Sequence, residues 1–194
     1  MLDKKVPTFG WIKFVVGAVC FVADMVTKEW ARNSLTGDSE IVLAPGLLNY
    51  NLVTNTGAAF NLGSGHALTM TIIASTVTLL LISWVLREEK RATTSRLFIN
   101  IGAGFLIGGA IGNLADRFLR GRVTDFIELS FVHFPVFNCA DVFIDIGVGL
   151  LIIAAWRNMQ TTKAESTQVT VQPTAQAMSE TDKSPVLNSD EQAH

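Results

Sequence analysis

Asp125, in Val123-Thr124-Asp125-Phe126, and Asp141, in Asn138-Cys139-Ala140-Asp141, each stand where a long apolar stretch of the chain meets a more polar one. Acidic side chains at the edge of a hydrocarbon layer are costly, which makes them functional candidates by default. Two carboxylates in one site disfavour a second negative charge, so the pair tends to share one proton. That state sets a base beside an acid, as hydrolysis by an activated water requires. Asp141 also opens an apolar helix, whose N-terminal dipole favours a carboxylate, so capping is an alternative role for it. Asp145, one turn along the same face, is a rival second acid. His133 and Cys139 suggest a thiol protease, although nothing in the sequence holds that histidine against the sulfur.

Further polar groups follow helical spacing. Asn113, Asp116 and Arg117 recur at i, i+3 and i+4 and share one side of a helix end, where Asn113 can both donate and accept toward a peptide backbone. An Asp116–Arg117 pair would be structural. Asp24 and Lys28, four apart in acid-before-base order, suit an ion pair within one helix. The small residues of Asn55-Thr56-Gly57-Ala58-Ala59-Phe60 would let a second backbone, such as a substrate strand, come close.

The elements that must position these groups are written in the charge pattern. Of 194 residues, 49% are hydrophobic and only 16% charged, too apolar a balance for an ordinary soluble domain. No Asp, Glu, Lys or Arg occurs from Ile41 to Leu86 or from Leu97 to Ala115. Spanning helices are predicted at Gly10–Asn33, His66–Leu86, Leu97–Leu119 and Ala140–Met159. Lys4 and Lys5 precede an apolar run as in a signal peptide, but no cleavage site follows, so that run reads as a retained first span.

Orientation comes from the loops. Lys4, Lys5 and Lys13 lie near the first end, Arg87, Lys90, Arg91 and Arg96 join the second and third spans, and Arg157 and Lys163 follow the fourth, whereas residues 34–65 hold no Lys or Arg. The positive-inside rule then puts both termini in the cytoplasm and both aspartates at the outer surface. Arg117, Arg120 and Arg122 run against the rule, which points to a local role. Partial alternation in residues 47–53 and 123–127 predicts short strands lying on the membrane surface. Gly104, Gly108 and Gly112 recur every four residues and strip one face for close approach of another helix.

The expected architecture is an all-α integral membrane protein: a four-span domain over residues 1–159, then a disordered, polar cytoplasmic tail over 160–194. The net charge of -2, with no basic stripe, argues against nucleic acid as a partner. Two cysteines, one inside an apolar helix and one at a helix start, give no support for a disulfide.

In order along the chain, Asp24-Met25-Val26-Thr27-Lys28, Asn55 to Phe60, Gly108 to Arg117, Val123 to Phe126 and Phe137-Asn138-Cys139-Ala140-Asp141 resemble the motifs of the lipoprotein signal peptidase, or signal peptidase II, family. The resemblance covers about Gly10 to Met159 and leaves the tail outside. It implies an aspartic peptidase of the bacterial inner membrane, with four transmembrane helices, a small extracytoplasmic β-cradle and an active site at the periplasmic face. It implies that Asp125 and Asp141 form the catalytic dyad, and it removes Asp145, which falls outside Asn-x-Ala-Asp. The implied substrate is a prolipoprotein already carrying diacylglycerol, cut just before the lipidated cysteine. Asn55, Gly57, Asn113, Arg117 and Asn138 are then expected to hold the substrate backbone, with Asp24, Lys28 and Asp116 in support and Cys139 a bystander. No metal or cofactor is expected. Membrane lipid is the other expected partner, and the protein is expected to be a monomer. Other classes stay open: a proton-coupled carrier relaying through Asp24, Asp116, Asp141 and Asp145, against which the lack of an internal repeat counts; a non-catalytic scaffold on the glycine face; and a divalent-metal hydrolase using Asp125, Asn138 and Asp141.

Overall fold

The computed structural model describes residues 10–35, 40–57, 66–88 and 96–181. Four long helices, α1 (Ile12–Ser34), α2 (Ala67–Glu88), α3 (Arg96–Arg120) and α4 (Cys139–Thr181), frame three strands, β1 (Ile41–Ala44), β2 (Leu48–Asn55) and β3 (Val123–Leu129). The chain divides into two compact units, Met1–Ala155 and Trp156–His194.

The helices have reversed polarity. The buried face of α1 is Lys13, Gly17, Cys20, Asp24, Lys28 and Ala31, while Trp11, Phe14, Val15, Val19, Val22 and Val26 are exposed. Such a helix in water would expose its apolar stripe and bury its charges, both unfavourable. Against hydrocarbon the same arrangement is favourable. α2, α3 and the Cys139–Thr161 part of α4 are long and apolar enough to cross a membrane. α1 falls outside that composition because it carries Lys13, Asp24, Lys28, Glu29 and Arg32.

Close approach of the helices depends on glycine. A Cβ on Gly108 would lie 2.6 Å from both the Cys20 Cβ and the Gly17 carbonyl of α1, so the predicted small-residue face of α3 is the one that receives α1. A second set of glycines faces α4: a Cβ on Gly109 would lie 2.5 Å from the Ala140 carbonyl. The third helix is thus clasped on two sides, and its C-terminal end carries the polar cluster between α1 and α4.

α3 ends where Gly121 takes a positive φ of 70°, a conformation that costs a residue without Cβ little. The chain reverses there into β3. β1, β2 and β3 form an antiparallel sheet in that order, with Val53 opposite Asp125 and Asn55 opposite Val123. Strands expected at residues 47–53 and 123–127 are present as β2 and β3, and β1 adds an edge that was not expected.

The sheet sits on the end of α1. Ala31, Leu35 and Phe126 form a buried cluster flanked by Tyr50, Leu52, Ile127 and Cys139. Trp30 meets Tyr50 edge-on with ring centroids 5.2 Å apart, and Phe126 lies 6.0 Å from Tyr50. Burying Phe126 contributes about 2–3 kcal/mol, with about 0.5–1.5 kcal/mol for each aromatic pair. These contacts fix the strand that carries the neighbouring Asp125.

One expectation about the tail differs. α4 runs to Thr181, so residues 160–181 are helical where a disordered tail was expected from 160. The segment mixes good helix formers with Thr, Val and Pro173, whose ring removes a helix hydrogen bond, so local propensity does not account for the extension. Residues 182–194 lie outside the described residues.

Candidate active site

α4 begins with a reciprocal cap that includes Asp141. The Asn138 side chain accepts the Asp141 N–H at 3.2 Å, and the Asp141 Oδ2 accepts the Asn138 N–H at 3.1 Å. This is the geometry of a capping box, in which two orphan donors of the first turn are satisfied at once. Ala140, between them, donates its N–H to Asp24 Oδ1 of α1 at 2.9 Å. Capping and a chemical role for Asp141 therefore coexist, because the cap engages only one of its oxygens. Asn113 Nδ2 donates to the other, Oδ1, at 2.9 Å.

Asp125 receives a matching pair. Asn138 Nδ2 donates to its Oδ1 at 2.6 Å and Asn55 Nδ2 to its Oδ2 at 3.1 Å. Asn138 is aligned for this because its predecessor, Phe137, pairs with β3: Ile127 N–H donates to the Phe137 carbonyl at 2.8 Å, and Phe137 N–H returns to Ile127 at 3.0 Å. All four oxygens of the two carboxylates thus accept an N–H. Each keeps a second lone pair for a proton or a water.

The two carboxylates differ in surroundings. Asp125 is buried, at 3% exposure, and Asp141 is only partly so. Burial, reinforced by the Asp141 charge, pushes the Asp125 carboxyl up to about 6, against the pull of the Asn138 and Asn55 hydrogen bonds. Asp125 therefore holds a proton at a pH where an ordinary carboxylate has lost it.

The supporting groups form a second tier. Lys28 Nζ, fully buried, donates to Asp24 Oδ2 at 2.7 Å and to Asn113 Oδ1 at 2.8 Å. Asn138 Nδ2 also reaches Asn113 Oδ1, at 3.1 Å. With two donors on its oxygen, the orientation of the Asn113 amide is determined. Gly112 is what admits Asp24, since a Cβ there would land on the Asp24 carboxylate.

Asp116 has another task. Fully buried, it accepts the Thr124 N–H at 2.8 Å and the guanidinium groups of Arg32 and Arg120 at 3.3 and 3.1 Å. It pins the start of β3 one residue before Asp125. The Asp116–Arg117 pair considered from sequence is replaced by these contacts, because neighbours in a helix point apart. Arg117 instead donates to the Gly57 carbonyl at 2.9 Å, and Asn55 Oδ1 accepts the Gly57 N–H at 2.9 Å. Arg120, like Arg117, has the local role its departure from the charge rule suggested.

Asn55, Asn113 and Asn138, expected to hold a substrate backbone, spend their amides on the carboxylates, and Arg117 and Gly57 hold each other. The three asparagines hold the two carboxylates, and Gly57 joins the group by donating to Asn55. Ala58, Ala59 and Phe60 lie outside the described residues. Asp145 is exposed and stands apart from the network. Arg32 was missed, yet it lies one turn beyond Lys28 on the face shared with Asp24, a spacing that could have found it. Among the described residues no three His, Cys, Asp or Glu side chains gather as a metal site would require.

Residues 16–157 match the family model described as signal peptidase (SPase) II. The chain belongs to the signal peptidase II family. Within it, a lipoprotein signal peptidase of Nostoc punctiforme is 36% identical over 148 residues, 76% of this chain and 91% of that protein. One from Hydrogenovibrio crunogenus is 36% identical over 178 residues, 88% of this chain and 98% of that protein. A solved bacterial membrane enzyme superposes with a TM-score of 0.68 at 28% identity, covering 77% of this chain and 90% of its own. Family and apolar helices together make this signal peptidase II homologue an integral membrane protein.

Proposed function

We propose that this protein is an aspartic endopeptidase that removes the signal peptide from diacylglyceryl-modified prolipoproteins, cutting just before the lipidated cysteine. The carrying observation is the Asp125–Asp141 pair: two carboxylates from different elements, each oxygen held by an N–H, one of them buried enough to keep its proton to about pH 6.

In this reading the ionised carboxylate takes a proton from a water as its oxygen attacks the scissile carbonyl carbon. The protonated carboxyl gives its proton to the developing oxyanion. As the C–N bond breaks, a proton passes to the leaving α-amine of the lipidated cysteine, and the signal peptide departs with a new carboxylate. Asn55, Asn113 and Asn138 keep both acids in place through the cycle, so little reorganisation accompanies the charge movement. Arg117 and Asn55 hold the Gly57 backbone beside Asp125, and the absence of a side chain there leaves room for a substrate strand.

The lipid on the substrate suits the exposed apolar surface of the helices. We further read α1 as the fourth span, its charges turned onto α3, with both termini in the cytoplasm of a bacterial inner membrane and the dyad at the periplasmic face. The Lys and Arg distribution supports that orientation.

Incubating the purified protein in detergent with a lipidated and an unlipidated prolipoprotein tests the proposal. Cleavage of the lipidated form alone, before its cysteine, is expected. Cleavage of neither form refutes the activity, and equal cleavage of both refutes the specificity.

A further inference from the structure

Asn113 touches the dyad with one end of its amide and Lys28 with the other. Its Oδ1 accepts Lys28 Nζ at 2.8 Å and Asn138 Nδ2 at 3.1 Å, and its Nδ2 donates to Asp141 Oδ1 at 2.9 Å. A lysine ammonium has only donors. With Lys28 in place, the Asn113 carbonyl must face α1 and its N–H must face Asp141. Turned the other way, the amide would present an oxygen to Asp141, which only a protonated carboxyl could meet by donating. The two orientations of one amide thus correspond to two assignments of the shared proton.

We propose that Lys28 is the positioning residue that gives the dyad its direction: by holding the Asn113 carbonyl it aims the amide N–H at Asp141 and commits Asp141 to accepting the proton of the attacking water, with Asp125 as the acid. This rests on the peptidase reading above and assigns the order of proton transfer within it. Three independent features agree. Asp141 stands in the first turn of α4, where the helix dipole favours a negative charge. It is partly exposed where Asp125 is buried. Lys28 is itself anchored by Asp24, which accepts the Ala140 N–H of the same first turn, so Lys28 and Asp141 keep a fixed relation.

The charged groups facing the pair come from each neighbouring element: Asp24 and Lys28 from α1, Asp116 and Arg117 from α3, and each carboxylate toward the other from β3 and α4. Arg117 acts on both carboxylates and so does not distinguish them. Lys28 also favours ionised Asp125 through its charge; what sets the two carboxylates apart is its hydrogen bond to Asn113, whose N–H donates to Asp141.

The test compares pH profiles of kcat/KM for cleavage of a lipidated prolipoprotein. Lys28→Met alone would leave Asp24 buried and unpaired, so it is combined with Asp24→Asn, whose oxygen still accepts the Ala140 N–H and which then faces no ammonium. Relative to wild type, the double variant Asp24→Asn/Lys28→Met is expected to move the acid limb upward by about one pH unit, roughly a tenfold loss at any pH on that limb. Lys28→Arg retains a donor and is expected to keep the wild-type limb at reduced kcat. A uniform fall in rate with the limbs of the double variant unmoved would make Lys28 merely structural and overturn the proposal. So would an acid limb displaced in folded Lys28→Arg. Wild-type enzyme in the same assay keeps the two questions apart: if it does not cleave, the peptidase reading fails, whereas cleavage with unmoved limbs defeats only the assignment to Lys28.

Discussion

Asn138→Ser keeps one of the three contacts of this side chain, the cap, and gives up its bonds to Asp125 and Asn113. Serine caps a helix about as well as asparagine, so α4 keeps an acceptor for the Asp141 N–H. Its hydroxyl does not extend to Asp125 as well, and the 2.6 Å hydrogen bond to Oδ1 is lost. A hydrogen bond to a charged group contributes about 1.5–3 kcal/mol, and about 1.4 kcal/mol corresponds to one pH unit of proton affinity. That bond favours ionised Asp125 against burial, so its removal raises proton affinity further, from about 6 by about one to two pH units. Where activity needs the Asp125 proton, it declines as pH rises through this value. The alkaline limb of kcat/KM is therefore expected to move from near 6 to about 7–8. The loosened carboxylate should also cost roughly 10²-fold at the optimum. The assay is cleavage of a lipidated prolipoprotein from pH 5 to 9, with thermal unfolding as a check on the fold. An alkaline limb that stays put or moves down in a folded variant would refute the reasoning.

Asp125→Asn and Asp141→Asn should each abolish turnover in folded, membrane-inserted protein, whereas exposed Asp145→Asn should keep it; turnover assays on the three purified variants decide, and substantial cleavage by either of the first two would remove the dyad. Asp116→Ala leaves Arg32, Arg120 and the Thr124 N–H without their common acceptor and should cost about 3 kcal/mol, seen as a lowered Tm; an unchanged Tm would show that Asp116 does not pin β3. Gly112→Ala drives a Cβ onto the Asp24 carboxylate, with an overpacking cost of about 1–3 kcal/mol and a loss of activity as α4 loses its tie to α1; wild-type stability and rate together would contradict that account.

Much of the site could be read from residue types because the chemistry required rare choices. Carboxylates beside apolar runs are few, and Asp125 and Asp141 stood out for that reason. The partners of each amide were harder to read. Asn55 meets Asp125 across 70 positions and Asp24 meets Ala140 across 116; spacing on one helix cannot encode a contact made between three elements. The same limit hid that Asn55, Asn113 and Asn138, expected to hold a substrate backbone, also donate to the two carboxylates. β1 escaped notice because Ile-Val-Leu-Ala is short and uniformly apolar, without the alternation that marks a half-buried strand. The helical stretch over residues 160–181 was obscured by polar composition, which suggests disorder.

The cap that starts α4 ties catalytic competence to completion of the fold. Asp24, Asn55, Asn113, Asp125, Asn138 and Asp141 come from α1, β2, α3, β3 and the entry to α4, so the hydrogen bonds that hold the two carboxylates draw on five elements. An incompletely assembled chain, with the sheet not yet seated or the last helix not yet docked, lacks part of that hydrogen bonding. On the proposed mechanism cleavage is expected only once all five elements are in place, so its appearance would serve as a timestamp for the final step of assembly.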